Sequence, residues 1–200
     1  MTRSVLLLAG GSGSRFKGNG HKLHVGFRGR PLAAHALETV RSLVGDCVEQ
    51  VYVITGATSL DPAFEWLAAA KSVPVATLGF TVLHNEGWSE GQAASLAVGI
   101  DRAALDGHSS VIVGLADQPL IGPDAWRAVA TAPGANVTAA FEGRRRPPVK
   151  LDRSVWPLLP RTGDVGARSL IRLRPELVSE VPCMGNPIDI DTMEDLRRWS

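Results

Sequence analysis

Apolar and polar residues follow one another along this chain in blocks that predict strands and helices in turn. Val5-Leu6-Leu7-Leu8-Ala9 is an unbroken apolar run and predicts a strand buried on both faces of a parallel sheet. Leu32, Ala33, Ala36, Leu37, Val40, Leu43 and Val44 recur at helical spacing. They predict a helix from Pro31 to Val44, with Pro31 in the first turn and Gly45 as the stop. Val48 to Ile54 predicts a second strand, and Asp61 is placed to cap a helix from Pro62 to Ala70. Val73 to Leu83 holds a strand interrupted by Gly79. Ser89 is the expected cap of a helix running to Leu105, with Leu96, Ile100 and Leu105 facing the core.

Ser110 to Ala116 is again near-continuously apolar, which predicts a central strand. A helix over Asp124 to Ala132 follows. Asn136 to Phe141 and Val149 to Leu151 are expected to pair across a basic, turn-rich connection from Glu142 to Pro148. Ser154 to Leu159 and Gly166 to Arg172 read as short helices, and Leu177 to Val181 and Pro187 to Ile190 as short strands. Thr192 opens the last helix, with Asp195 as its capping-box partner. The alternation argues an α/β fold: a three-layer, mainly parallel Rossmann-like sheet with helices on both faces. Such sheets bind ligands at the carboxyl ends of their strands.

Composition narrows the picture in three ways. Two hundred residues suit one domain with a real core. A net charge of +1 argues against a general nucleic-acid binder. No stretch has the length of a membrane span or the pattern of a signal peptide, and the two distant cysteines, Cys47 and Cys183, read as reduced thiols. A cytoplasmic protein is expected, with neither nucleic acid nor membrane as partner.

The candidate chemistry starts where the first strand ends. Gly10-Gly11-Ser12-Gly13-Ser14-Arg15 follows Ala9, with Lys17 and Lys22 beyond it. Backbone N–H groups converging in a turn, with cations behind them, make an anion site. The P-loop pattern fails, because Asn19 stands where lysine should follow Gly18. The dinucleotide fingerprint fails as well: Phe16 takes the place of the third glycine, and Val53-Ile54-Thr55-Gly56 lacks the acid that would hold a ribose. Asp117 closes the Ser110 to Ala116 strand and so stands at the sheet's rim, where one or two carboxylates plus substrate phosphates suit Mg²⁺. Asp189 and Asp191 flank Ile190. If extended, they share one side, and two like charges held together favour a cation between them. Helix capping by Asp191 or Thr192 is the structural alternative.

Leu8-Ala9-Gly10-Gly11-Ser12-Gly13-Ser14-Arg15-Phe16 with Lys22-Leu23 resembles the signature loop of the MobA-like NTP transferases, which include the molybdenum-cofactor guanylyl- and cytidylyltransferases. Leu115-Ala116-Asp117-Gln118-Pro119 is similar to that family's metal-aspartate motif, and Asp189-Ile190-Asp191-Thr192 to its C-terminal Asp-x-Asp-Thr, with Met193 where proline is usual. Asn85 to Leu96 is similar to its central Trp-x-x-Gly-x-x-x-Ser-Leu stretch. Gly163-Asp164-Val165-Gly166-Ala167-Arg168 matches the Gly-Asp-x-Gly-Ala-Arg of the cytidylyltransferase branch. Two stretches depart: the segment between Arg15 and Lys22 is longer than usual, and Arg144-Arg145-Arg146-Pro147-Pro148 replaces a Gly-x-Pro.

The resemblance implies a fold of the nucleotide-diphospho-sugar transferase type and a reaction that moves CMP or GMP from an NTP to a phosphorylated acceptor. It implies an NTP-binding part over about residues 1–120, with an acceptor-binding and C-terminal metal part over 121–200. Arg15, Lys22 and Asp117 are the expected catalytic groups. Leu8, Ala9, Gly10, Gly11, Ser12, Gly13, Ser14, Arg15, Lys22, Thr55, Gly56, Gly91, Ser95 and Asp117 are expected to hold the nucleotide. Gln118, Pro119 and Arg168 would face the acceptor; Asp117, Asp189 and Asp191 would bind Mg²⁺. CTP or GTP, a molybdopterin-type acceptor and a molybdoenzyme or maturation protein are the implied partners. A nucleotide- or cofactor-binding maturation protein without turnover is the alternative, as is a transferase for a sugar-phosphate-like acceptor. For the arginine run, a solvated hairpin and an acceptor-phosphate clamp stand side by side.

Overall fold

The computed structural model describes residues 2–167 and 174–200. The strands of its main sheet are β1 (Arg3–Ala9), β4 (Gln50–Thr55), β5 (Phe80–His84), β6 (Ser110–Leu115), β7 (Asn136–Phe141), β8 (Arg144–Asp152) and β9 (Val178–Pro182). A separate two-stranded ribbon pairs β2 (Gly26–Phe27) with β3 (Arg30–Pro31). The helices are α1 (Leu32–Arg41), α2 (Asp61–Lys71), α3 (Gln92–Leu105), α4 (Pro123–Thr131) and α5 (Met193–Trp199). The main sheet runs β5-β4-β1-β6-β8-β7-β9. β5, β4, β1 and β6 are parallel neighbours, as are β7 and β9; β8 is antiparallel to both β6 and β7. The sheet is therefore mainly parallel, and β6 is its middle strand.

Period-two alternation explains how unbroken apolar strands serve two faces. Val5, Leu7, Val51, Val53 and Ile112 face one core, shared with α1, α2 and α4. Leu6, Leu8, Tyr52, Ile54, Val111 and Val113 face the other, under α3 and the 3₁₀ stretch Arg153–Leu158. Each fully buried Leu or Ile contributes roughly 1.5–3 kcal/mol relative to its exposed state.

Several boundaries differ from expectation for local reasons. α1 stops at Arg41 rather than Val44. Asp61 is the first residue of α2 rather than its cap, and Leu60 precedes it without a side-chain cap bond. Ser89 lies in a 3₁₀ turn, Trp88–Glu90, and Gly91 is the N-cap of α3. Leu105 is 83% exposed. It lies nine residues after Leu96, half a turn round the helix, whereas Ile100 and Ala103 share the face of Leu96. The basic connection after β7 shrinks to Glu142 and Gly143, both at positive φ (49° and 74°), as a two-residue hairpin turn requires. Arg144 to Arg146 therefore lie inside β8. Residues 187–190 form no strand. Of the helix expected over Gly166 to Arg172, Gly166 and Ala167 lie in a turn, and Arg168 onward falls outside the described residues. Among the described residues no helix is long and apolar enough to cross a membrane.

Candidate active site

A cleft of about 430 Å³ opens where β1 and β6 end. Leu8, Ala9, Gly10, Gly11, Ser12, Gly13, Ser14 and Arg15 form one wall, and Leu115 and Asp117 continue it from β6. Parallel neighbours end at one level, so the glycine loop and Asp117 meet with little help from elsewhere. Asp191 and Lys22 also line the cleft. Asp191 arrives through the backbone: the Ile190 N–H donates to the Asp117 carbonyl (3.0 Å), while the Ile190 side chain is fully buried in the core. The α5 cap holds it there. The Asp191 N–H donates to Asp195 Oδ2 (3.2 Å), and Thr192 and Asp195 complete a capping box.

Lys22 joins the two carboxylates. Its Nζ donates to Asp117 Oδ2 (2.6 Å) and to Asp191 Oδ1 (2.6 Å). Burial alone would depress the ammonium's pKa; the Asp117 and Asp191 carboxylates outweigh it and hold the pKa above the usual lysine value. Arg15 Nη2 stands 2.9 Å from Asp191 Oδ2, yet its side chain is 75% exposed, so it is poised at the mouth of the cleft. Asp117 Oδ1 is buried and has no hydrogen-bond partner among the described residues. Two carboxylates aimed at one point, one with an unused buried oxygen, form a donor set that fits a hard divalent cation. Asp189 is half-buried and lies outside the residues lining the cleft. Among the described residues no three His, Cys, Asp or Glu side chains gather as a metal site.

The glycine loop is tied down from within. His21 Nδ1 accepts from the Leu23 N–H (3.3 Å), so Nε2 carries the proton and donates to the Gly11 carbonyl (2.9 Å). Burial lowers the His21 pKa, and the neighbouring His24 and Lys22 charges add to that against the opposing Gly11 bond. The ring is neutral at pH 7, as its hydrogen bonds require.

Not every expected residue reaches the cleft. Ser95 and Gly91 line it. Thr55 and Gly56 do not; they support the loop from behind, where the Ala57 N–H donates to the Gly10 carbonyl (3.2 Å). Gln118 is buried and donates to the Pro187 carbonyl (3.2 Å), which makes it a tether for the C-terminal segment. Pro119 lines a separate shallow depression beside Arg28 and Arg30. Arg168 lies outside the described residues.

A family model for the MobA-like NTP transferase domain matches residues 5–181. The chain belongs to the MobA-like NTP transferase family. This MobA-like transferase is 32% identical over 206 residues to nicotine blue oxidoreductase of Paenarthrobacter nicotinovorans, covering 96% of this chain and 94% of that protein. It is 28% identical over 195 residues to the purine catabolism protein PucB of Bacillus subtilis (strain 168), covering 95% and 92%. Its fold is similar to that of Rv0371c from Mycobacterium tuberculosis H37Rv, with a TM-score of 0.78 at 23% identity over 100% of this chain and 97% of the other. A manganese complex of Rv0371c superposes with a TM-score of 0.75 at 21% identity over 100% and 98%. The chain is a nucleotidyltransferase of this family with a mainly parallel, Rossmann-like sheet.

The MobA-like transferase also brings residues to its cleft that the sequence reading did not assign to it, among them Leu23, Trp88, Ser89, Leu115 and Asp164. Asp164 depends on Gly91. At φ 102°, Gly91 lets the chain at Gly163 approach so closely that a Cβ would lie 2.5 Å from the Gly163 carbonyl carbon. The Gly163 N–H donates to the Glu90 carbonyl (2.7 Å), and the Ala93 N–H to the Gly163 carbonyl (2.9 Å). Two motifs more than 70 residues apart thus form one wall. The signal was the pair of glycine-containing motifs; their contact was not readable from either alone.

Proposed function

We propose that this chain is an Mg²⁺-dependent enzyme that moves CMP or GMP from its NTP onto a phosphorylated acceptor of the molybdopterin type, releasing pyrophosphate. The observation that carries this reading is the convergence of Asp117 and Asp191 on Lys22 beneath the glycine loop. In this reading the N–H groups of Gly10 to Ser14 cradle the triphosphate, and Arg15 and Lys22 neutralise it. A divalent cation held by Asp117 and Asp191 would supply Lewis-acid charge at the phosphates. The acceptor phosphate oxygen attacks the α-phosphorus while the bond to the β-phosphate oxygen breaks, and pyrophosphate carries that electron pair away. The attacking phosphate is already ionised, so no general base is needed. The protein's work is alignment and charge neutralisation. Residues 1–120 then serve the nucleotide, and the remainder serves the acceptor and contributes the second carboxylate, in a cytoplasmic enzyme.

The test is a panel of NTPs with Mg²⁺ and a molybdopterin acceptor, scored for pyrophosphate. Turnover is expected with CTP or GTP, and Asp117→Asn should lower it roughly 100-fold or more, since metal-held charge supplies several kcal/mol. Near-normal turnover of a folded Asp117→Asn protein would refute the assignment. The relative named as an oxidoreductase motivates a second arm, in which NADH and NADPH oxidation are followed. The missing ribose acid at Ile54-Thr55-Gly56 argues that this arm stays silent.

A further inference from the structure

A shallow depression of about 390 Å³ shares no lining residue with the nucleotide cleft. The β2–β3 ribbon supplies Arg28 and Arg30, α1 supplies His35 and Thr39, and Pro119 to Gly122 form a further wall. Both arginines are braced by the protein and keep N–H groups to spare. Arg28 stands in the two-residue turn of the ribbon at φ 47°, a left-handed position that costs an arginine more than a glycine or asparagine. Its Nε donates to the Trp199 carbonyl (2.9 Å), and its guanidinium lies 5.2 Å from the centre of the Phe27 ring. Among the described residues it has no carboxylate partner, and both Nη groups are uncommitted. Arg30 Nε donates to His35 Nδ1 (3.0 Å), and His35 Nε2 donates to the Phe27 carbonyl (2.9 Å). Arg30 Nη1 pairs with Glu38, which leaves Nη2 over. Burial lowers the His35 pKa, and Arg30 and Arg28 lower it further against the opposing Phe27 bond, so the ring is neutral, as an acceptor of the Arg30 N–H must be. Glu38 is shared with Lys71 (3.3 Å). Among the described residues, the lining groups and their ion-pair partners thus set Arg28, Arg30 and Lys71 against a single carboxylate.

We propose that this depression is a second ligand site, one that takes the phosphate group of a small molecule, and that its occupant acts as an effector of the nucleotide cleft. Excess positive charge on braced guanidinium groups favours an anion. One guanidinium fork satisfies a planar carboxylate. Two arginines with spare Nη groups, beside the Thr39 hydroxyl, suit a tetrahedral dianion instead. The volume falls in the small-molecule range of roughly 300–1,000 Å³. The link to the cleft lies in the chain. The ribbon follows the Lys22–His24 turn directly, and the Leu32 N–H donates to the Val25 carbonyl between the two (2.9 Å). The Pro119 wall begins just after Asp117 and Gln118. Trp199, whose carbonyl Arg28 holds, ends α5, and the start of α5 fixes Asp191. The three charged groups that meet in the cleft therefore stand on segments joined by Arg28 and its depression. An anion that needs these segments in place favours the arrangement that holds Lys22, Asp117 and Asp191 together, and coupling of this kind is reciprocal. The phosphate site goes beyond nucleotidyl transfer; its effector role rests on that reading.

The experiment follows backbone amide and arginine Nε–H signals of the full chain by NMR during titration with inorganic phosphate, phenyl phosphate and phenol. Saturable shifts are expected at Arg28, Gly29, Arg30 and Gly122 with both phosphates and not with phenol. Phosphate entering the cleft is told apart by its own shifts at Gly10 to Ser14. Tighter binding of phenyl phosphate assigns the site to phosphate esters, and equal binding assigns it to free phosphate. Arg28→Gln, a change at an exposed turn residue, should weaken phosphate at these signals about tenfold while CTP with Mg²⁺, in the absence of phosphate, stays within about twofold. Phosphate should favour CTP binding about fivefold more in the wild type than in Arg28→Gln, where competition for the cleft is the same and the depression is lost. The wild-type shifts stand as a test even if the variant fails to fold. Shifts at Arg28 and Gly122 that grow without saturating, or that Arg28→Gln leaves unchanged, would overturn the site. A hexaglutamate peptide that saturates them more tightly than either phosphate would overturn it in favour of a protein-docking surface. Saturation with no gain in CTP affinity would overturn the effector role. Failure of CTP to bind the wild-type protein would overturn the transfer reading and the effector role with it, while the phosphate site would still be read from its own signals.

Discussion

Lys22 sits where a cation between Asp117 and Asp191 belongs, 2.6 Å from each. Its side chain is only 10% exposed, and a buried ion pair broken on one side commonly costs about 3–5 kcal/mol. The same geometry makes the ammonium a competitor of any divalent ion for these oxygens. A triphosphate in the glycine loop would draw Lys22 and Arg15 away and free both carboxylates, so nucleotide and metal should bind cooperatively. Lys22→Gln is therefore expected to weaken CTP while tightening Mn²⁺ in the absence of nucleotide. Spin-resonance titration of free Mn²⁺ measures the second effect. Weaker Mn²⁺ binding by a folded Lys22→Gln protein would show that the lysine does not compete.

Among the elements, α5 bears most directly on the site, although it is short and lies at its edge. Its start is fixed by the Thr192 hydroxyl, which accepts from the Asp195 N–H (3.1 Å), and by the Asp195 carboxylate, which accepts from Thr192 and Asp191. Burial pushes the Asp195 pKa up, but the Thr192 and Asp191 donors outweigh it, and the carboxyl ends below its usual value. A depressed carboxylate adds stability above its unfolded pKa and loses it as pH falls through the folded one. Thr192→Ala should cost about 1 kcal/mol by denaturant titration at pH 7. Asp195→Asn should cost a similar amount at pH 7, and its deficit should begin to shrink as pH falls below the ordinary aspartate value of about 3.9 and close only below the lower folded value. A deficit constant down to pH 3 would show that the charge of Asp195 plays no part in the cap.

For the whole molecule, the site is a junction between the first strand, the middle strand and the C-terminal segment. Ligands that bridge them should stabilise the entire fold. At about 100 times its dissociation constant, a ligand adds ~2.7 kcal/mol, which for a domain of this size corresponds to roughly 5–10 °C in Tm. CTP with Mg²⁺ should produce such a shift in a thermal melt, and either alone clearly less. Equal shifts with CTP alone and with CTP plus Mg²⁺ would separate the nucleotide site from the paired carboxylates.

Much of this was written in the chain itself. The apolar runs at Val5 to Ala9 and Ser110 to Ala116 required two buried parallel strands, because only a sheet covered on both faces buries every residue of such a run. A glycine loop and an aspartate directly after them then had to meet at one rim. Thr192 and Asp195, three residues apart, specified their own cap. Tertiary structure decided what depended on distant contacts. Leu105 lay at the wrong angle of a helix whose face was set by the sheet beneath it. Asp191 rather than Asp189 reached the cleft, because Ile190 anchors in the core and its N–H bonds to Asp117. Thr55, Gly56, Gln118 and Pro119 fell behind or beside the cleft, while Asp164 entered it through the close approach at Gly91. Local pattern records which groups a segment carries. Which of them share a cavity is set by packing between segments far apart in the chain, and that information lies in no single stretch.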